Sequence, residues 1–325
     1  MGLNKRLIST ASAAAAPSSP LDIATWTGNA TAGRQITVSN NPDFVIVKRT
    51  SFLSSWLWNY EDGSNIKYLS SNNNFPTSTS TDGVTSFNNG SFTLGAGGLA
   101  NDSGQSCVGY SLQGGGGYVS NTNGSITSQV SANQAAGFSI VKYTAGGTAT
   151  VGHGLSQAPE LIITKNLDIS EQWFVYAEPV GTQKFLGLNT TSAATSNSGV
   201  YTSIGSSTFT NNISSTSRTY INLCFHSVDG YQKVGSYSGS GAAGNKQTLG
   251  FKPRFLMVKL TDGIGSWWIF DSSRTPNNPR NLTLRADTTD TDYTLDGVDF
   301  EDDGFSFNSL YFNESGSNFI YLAIA

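Results

Sequence analysis

The apolar residues of this chain fall in short runs, separated by turns rich in glycine, asparagine and serine. The strongest runs are Phe44 to Val47, Leu161 to Ile163 and Phe255 to Val258. They are apolar at successive positions, which is typical of strands buried on both faces. Other runs alternate, as in Phe305-Ser306-Phe307, which indicates a strand with one buried face. No segment keeps a helical period between caps, so the pattern predicts an all-β fold.

One framework of four residues occurs three times along these runs. An aromatic residue is followed by Pro, by Lys 22 positions after the aromatic, and by Trp eight positions after the Lys. The framework residues are Trp26, Pro42, Lys48 and Trp56, then Tyr143, Pro159, Lys165 and Trp173, then Tyr237, Pro253, Lys259 and Trp267. Such agreement indicates three copies of one β unit.

The repeat predicts how the chain is divided. We predict three tandem, small β-sandwich or jelly-roll-like modules with an extended N-terminal arm. The ranges are 1–20 for the arm, 21–112 for module 1, 113–136 for a Gly/Ser/Asn-rich linker or hairpin, 137–229 for module 2 and 230–325 for module 3. Because modules this small bury little surface alone, we expect them to lean on one another or on partner chains.

The repeat also predicts particular contacts. The first offset, 143 − 26 = 117, places Phe92 on Phe209 and Cys107 on Cys224. We expect both cysteines to be small buried apolar residues without a disulfide. Lys and Trp eight apart across a turn predict cross-strand neighbours, with the indole as a cation–π candidate. The repeated tryptophans themselves are expected in the core.

Composition narrows the classes of function. Only 12% of residues are charged, the net charge is −4, and no basic patch is interleaved with aromatics. These features argue against a nucleic-acid partner, and the lack of a long apolar run argues against membrane insertion. Two histidines in 325 residues give little material for catalysis. We therefore expect no enzyme activity, no catalytic residue and no bound organic cofactor.

Two groups of residues outside the repeat are candidate sites. An acidic stretch makes Asp296, Asp299, Glu301, Asp302 and Asp303 weak candidates for a calcium site, the alternative being solvated turn residues. The unrepeated Trp58 and Trp268 are surface candidates for stacking on a glycan.

Modules 2 and 3 carry a family resemblance. The segments Gly137 to Thr144, Val151 to Leu155 and Ala158 to Asn166, with Gly250 to Lys259 and Trp267 to Arg274, resemble an uncharacterised β-rich family of tailed bacteriophages. That family is common in phages of cyanobacteria and other aquatic bacteria. Module 1 lacks the Gly-His-Gly element of residues 152–154 and joins the resemblance only through the repeat.

The resemblance implies a structural component of a tailed-phage virion, located in the tail or on the particle exterior. We expect a fibre, baseplate or adhesin subunit whose arm contacts other virion proteins, with a homotrimer burying the open module faces. The arm carries Lys5 and Arg6 without the apolar core of a signal peptide, so we expect it to be retained. The alternatives are a head-decorating protein and a lectin-like module that binds a host-surface glycan.

Overall fold

A computed structural model describes residues 19–63, 65–197, 199–214 and 216–325. Residues 1–18 of the predicted arm therefore lie outside the described residues. The all-β prediction is confirmed, because the described chain forms strands and two short 3-10 helices and contains no α-helix. No helix in this part of the chain has the length and apolar character needed to cross a bilayer.

Module 1 consists of nine strands in two sheets. The strands are β1 (Leu21–Thr27), β2 (Arg34–Thr37), β3 (Phe44–Arg49), β4 (Leu57–Asp62), β5 (Asn65–Leu69), β6 (Ser78–Thr79), β7 (Val84–Asn88), β8 (Ser91–Leu94) and β9 (Ser106–Leu112). One sheet has the order β1-β9-β3-β4-β5-β6 and the other has the order β2-β8-β7.

The segment 113–136 forms a hairpin that continues a sheet. It contains β10 (Val119–Asn121), β11 (Ser128–Asn133) and a 3-10 helix, Gln134–Ala136. Strand β11 pairs with the first strand of module 2, so this segment extends the sheet of that module.

Module 2 repeats the strand pattern of module 1. Its strands are β12 (Phe138–Ala145), β13 (Ala149–Gly152), β14 (Leu161–Asn166), β15 (Phe174–Ala177), β16 (Lys184–Gly187), β17 (Thr195–Ser196), β18 (Tyr201–Ile204), β19 (Thr208–Asn211) and β20 (Arg218–Phe225). The sheet orders are β10-β11-β12-β20-β14-β15-β16-β17 and β13-β19-β18.

Module 3 joins its two layers into one sheet. Its strands are β21 (Gln232–Ser238), β22 (Asn245–Thr248), β23 (Phe255–Leu260), β24 (Trp267–Asp271), β25 (Arg280–Arg285), β26 (Tyr293–Glu301), β27 (Gly304–Phe307) and β28 (Asn318–Ile324), with a 3-10 helix at Leu310–Phe312. The order is β21-β28-β23-β24-β25-β26-β27-β22.

The pairing pattern around the framework lysines is the same in every module. The last strand lies between the first strand and the Lys strand, and the Lys strand pairs with the Trp strand. The registers also agree: Lys48 lies opposite Val108, Lys165 opposite Ile221 and Lys259 opposite Ile320. The register therefore tells which residues of the three modules are equivalent.

This register corrects one alignment made from the sequence. Cys107 lies opposite Arg49, whereas Cys224 lies opposite Ile162, near the other end of its strand pair. Loop lengths differ between the modules, so Cys107 is equivalent to Tyr220, four residues from Cys224. Both thiols are free and buried.

The alignment of Phe92 with Phe209 agrees with the structure. These rings lie opposite Ile36 and Val151, each the third residue of its strand. Each also meets the leading aromatic of its module in an edge-to-face contact, at 5.7 Å from Trp26 and 6.2 Å from Tyr143.

Two levels of core hold the molecule together. An apolar cluster fills the space between the strand layers of each module, which gives the modules a sandwich-like character. A further cluster takes buried residues from all three modules, including Trp56, Trp173 and Trp267. A cavity of about 40 Å³ inside this shared cluster is lined from all three modules. The modules therefore pack around a common centre.

Candidate functional site

The framework lysines lie across the Lys–Trp hairpins from the framework tryptophans. Lys259 is directly opposite Trp267, and the other two hairpins share this register. All three lysine side chains are completely buried. No cation–ring contact in the described chain pairs them with these tryptophans. The cation–π expectation is therefore not met, and the ammonium groups bond to carbonyl oxygens instead.

Each lysine reaches a carbonyl of a different module. Lys48 donates to Thr289 of module 3 at 3.1 Å, and Lys165 donates to Asn74 of module 1 at 3.1 Å. Lys259 donates to Thr191 of module 2 at 3.2 Å. The remaining ammonium donors bind oxygens on the strand end or Lys–Trp turn of the same module.

The same three acceptor carbonyls each take a second, backbone hydrogen bond. Each comes from the Lys–Trp turn whose lysine they already bind: Ser54 N to Thr289 O, Glu171 N to Asn74 O and Gly265 N to Thr191 O. A further bond runs from the accepting loop back to that turn: Asp292 N to Thr50 O, Thr77 N to Leu167 O and Ala194 N to Thr261 O. Each contact therefore consists of two backbone hydrogen bonds and one hydrogen bond from a lysine ammonium group.

The framework tryptophans complete these contacts. Trp56 Nε1 donates to Arg285 O at 2.9 Å, and Trp267 Nε1 donates to Gly187 O at 2.8 Å. Trp173 Nε1 lies 3.1 Å from both Ser70 O and Asn73 O. The indole rings belong to the shared core, so one residue supplies both apolar packing and a polar contact to the next module.

The contacts run in a cycle. Module 1 donates to module 3, module 3 to module 2, and module 2 to module 1. In each contact the Lys–Trp turn of one module meets the acceptor loop of another module, so the interfaces are head-to-tail. The series of contacts returns to the starting module after three steps. Equivalent contacts thus join the three parts of this single polypeptide in a closed ring.

A second set of repeated residues escaped the sequence analysis. The backbone N–H of each framework Trp donates to an Asx side chain in the loop after the next strand. The acceptors are Asn72, Asn189 and Asp287 at 2.8–3.0 Å. An Asn 16 positions after Trp56 and Trp173 was the available signal, and in module 3 the spacing grows to 20.

Burial changes the acidity of the framework lysines. In all three, the loss of hydration lowers the ammonium pKa to about 8. No carboxylate makes an ion pair with them in the described chain, where the acceptors are carbonyl and hydroxyl oxygens.

One of the three interfaces has no chain connection across it. Modules 1 and 2, and modules 2 and 3, are joined by the polypeptide, whereas modules 3 and 1 meet only through contacts. Arg254 pairs with Asp22 at 3.0 Å, and Tyr110 Oη donates to Asp271 at 2.8 Å. Asp271 also binds the buried Arg274 at 2.6 Å. We call this interface the seam.

The two histidines are parts of the fold. His153 is fully buried, with its imidazole within hydrogen-bond distance of Gly205 O and Leu155 N, and burial lowers its pKa. His226 Nδ1 bonds to Ser227 O, and its Nε2 has no hydrogen-bond partner among the residues that the structure describes.

The calcium candidates are not gathered into a site. Glu301 and Asp303 both pair with Lys246, at 2.8 and 2.7 Å, and Asp302 pairs with Lys252 at 3.0 Å. No group of three metal-ligating side chains occurs among the described residues, Asp296 and Asp299 included. Lys246 and Lys252 lie about 50 residues before the acidic stretch, so the sequence of the stretch alone could not predict these ion pairs.

The surface prediction for Trp58 is wrong. It is 3% exposed and lies in the shared core, 5.2 Å from Trp173 between ring centroids. Residues two apart on a strand share a face, so Trp58 points inward with Trp56. The surface prediction for Trp268 is wrong as well, because this side chain is 5% exposed and belongs to the core of module 3, where it also lines a groove. The glycan contact at Trp268 stays a prediction.

Comparison with known families covers nearly the whole chain. A family model described as "Domain of unknown function (DUF7483)" matches residues 16–325, which include all three modules and the 113–136 hairpin. No curated protein matches the chain. The chain therefore belongs to the DUF7483 family.

Proposed function

We propose that this chain is a structural component of a tailed-phage virion, in the tail or elsewhere on the particle exterior, and that it acts through protein–protein contacts. The resemblance of modules 2 and 3 to phage proteins supports the location. The cyclic set of contacts supports the structural role.

The observation that carries the proposal is how the repeated residues are used. Every framework Lys, and every Trp eight positions after it, is buried and bonds to another module. The residues that define the repeat thus serve assembly of the ring, with none of them aimed at a reacting molecule. We propose accordingly that the chain works without catalysis.

We further propose that the three modules are jelly-roll-like and that the ring is the building unit. The homotrimer was expected because small modules leave apolar faces open. Here those faces meet inside one chain, in a cluster drawn from all three modules. One chain therefore supplies the threefold arrangement for which three chains were expected.

Quantitative mass spectrometry of purified particles tests the role. We expect the chain to co-purify at a fixed copy number, and deletion of residues 1–18 to leave a folded ring that no longer joins particles. A copy number matching the tail supports a tail protein, and one matching the capsid supports the head-decorating alternative. Absence of the chain from washed particles contradicts both.

A further inference from the structure

Module 3 has an open groove beside the strand that carries its framework lysine. Its volume is about 620 Å³, and Val258, Leu260, Trp268 and Phe319 line it. The size falls in the range of ligand pockets, which are mostly apolar with a few placed polar groups.

One repeated position that lines the groove differs in character from its equivalents in the other two modules. The residue after the framework lysine is Arg49 in module 1 and Asn166 in module 2, and both tie down the Lys–Trp turn. Arg49 donates to Leu53 O at 3.3 Å and pairs with Asp102 at 2.9 Å. Asn166 accepts from Asp168 N at 2.9 Å and donates to Glu171. In module 3 this residue is Leu260, which can do neither.

The Lys–Trp turn of module 3 and the facing 3-10 helix leave apolar side chains exposed to water. Ile264 is 83% exposed, and Leu310 and Tyr311 are each 57% exposed. None of these three residues belongs to the repeated framework or takes part in the hydrogen bonds described between modules.

Aromatic rings form one wall of the groove. Trp268 meets Tyr311 at 5.3 Å and 88°, and it meets Phe312 at 5.4 Å and 86°. Tyr311 and Phe312 are tilted by 71° to each other. Three steeply inclined rings form a corner, and the Arg285 guanidinium already lies 5.5 Å from the Trp268 centroid. Aromatic faces of this kind attract cations.

Glu314 is the one charged residue that lines the groove in the described chain. It is exposed, and its carboxylate takes a single side-chain hydrogen bond, from Ser317 Oγ at 3.3 Å. An apolar, aromatic groove with one exposed carboxylate is complementary to a ligand that is both apolar on its surface and positively charged.

We propose that this groove binds a quaternary ammonium group, such as the trimethylammonium of choline. Its methyl groups lie against the aromatic and aliphatic walls, and its charge faces Glu314 and the ring of Tyr311. A bare ammonium keeps its hydration and an acidic ligand is repelled by Glu314, so neither fits. The proposal goes beyond the structural role and does not depend on where the chain is located.

Calorimetric titration of the full-length chain with choline tests the proposal. The control ligand is 3,3-dimethylbutan-1-ol, which has the same shape without the charge. We expect saturable choline binding, and binding of the neutral analogue weaker by about tenfold or more, because a cation–π contact and a facing carboxylate act only on the charge. Equal binding of the two ligands, or no binding of either, overturns the proposal.

Two exposed side chains supply variants that spare the core. Glu314→Gln should weaken choline binding about tenfold, while Tyr311→Phe keeps the ring and Tyr311→Leu loses it. We expect Phe to match the natural chain and Leu to bind several-fold less tightly. Unchanged affinity in both Glu314→Gln and Tyr311→Leu overturns the proposed site. Phosphocholine, titrated alongside, distinguishes a head-group source from a free ammonium compound.

Discussion

The ammonium group of Lys48 lies 3.1 Å from the carbonyl oxygen of Thr289, 241 residues further along the chain. The contact joins module 1 to module 3, and its equivalents at Lys165 and Lys259 join the other pairs. Three buried charges therefore hold three interfaces. Removing one ammonium group takes a donor away from several buried oxygens at once, so we expect each lysine to be important for stability.

Replacing Lys165 with Met should destabilise the whole ring. The change removes the ammonium donor from Asn74 O, Asn166 O and Glu171 O, and we expect it to lower the free energy of unfolding by about 2–3 kcal/mol. Lys184→Met, at an exposed position of the same module, is the matched control and should change stability by less than about 0.5 kcal/mol. Urea unfolding measures both. Equal stability of the two variants contradicts the role of Lys165.

The lowered lysine pKa predicts an unusual dependence of stability on pH. Below pH 8 the lysine is protonated in both states, and its contribution is constant. Between about pH 8 and the ordinary value of 10.5, the folded chain releases the proton while the unfolded chain keeps it. The stability difference between the natural chain and Lys165→Met should therefore shift in favour of the natural chain as pH rises through this window. Other groups cancel in the difference, so a flat or falling difference contradicts the pKa.

Two neighbouring tryptophans distinguish the contribution of a polar contact to stability from that of apolar packing. Trp173 donates across the interface, whereas Trp58 Nε1 is buried with no partner among the described residues. Phe in place of either removes similar apolar area. We expect Trp173→Phe to cost about 1–2 kcal/mol more than Trp58→Phe in the free energy of unfolding, because only Trp173 loses a hydrogen bond between modules. Thermal unfolding compares them, and equal costs would show that packing alone matters.

The ends of the described chain meet at the seam. Ser19 Oγ lies 3.4 Å from Ala325 O, and Leu21 N donates to Tyr231 Oη at 3.1 Å. A permuted chain, with residue 325 linked to residue 19 and new ends between Gly116 and Gly117, should fold into the same ring. Circular dichroism and unfolding should show one cooperative transition. New ends between Ile162 and Ile163, inside β14, should abolish folding. Two separate transitions in the first permutant would mean that the modules are independent.

The acidic stretch should be indifferent to calcium. Lys246 and Lys252 already neutralise Glu301, Asp302 and Asp303. Millimolar Ca²⁺ should therefore leave the melting temperature unchanged, with Mg²⁺ as the control for ionic strength. A calcium-specific rise of several degrees would show that carboxylates gather around the ion in solution.

Much of the fold could be predicted from local pattern. The apolar run before each framework Lys indicated a strand buried on both faces, and the structure places it between the last strand and the Trp strand. Trp58 could also have been placed in the core, because residues two apart on a strand share a face. The surface prediction for Trp58 was wrong because it relied on the absence of this residue from the repeat and did not consider the alternation of faces along the strand.

The partners of the framework residues could not be predicted in the same way. The acceptor of Lys48 is a backbone carbonyl, and any residue type at position 289 supplies one. Such a contact leaves no sequence signature. The apolar change at Leu260, in the groove beside Trp268, becomes visible only when Arg49 and Asn166 are known to be its equivalents.

Disulfide trapping tests the cyclic arrangement most directly. Cysteine pairs at 54 and 289, at 171 and 74, and at 265 and 191 replace residues joined by backbone hydrogen bonds of 2.8–2.9 Å. Such neighbours are close enough for a disulfide. A mismatched pair at 54 and 191 is the control. The ring predicts intramolecular disulfides in all three matched variants and none in the control, whereas failure of the matched pairs, or equal reaction of the control, contradicts it.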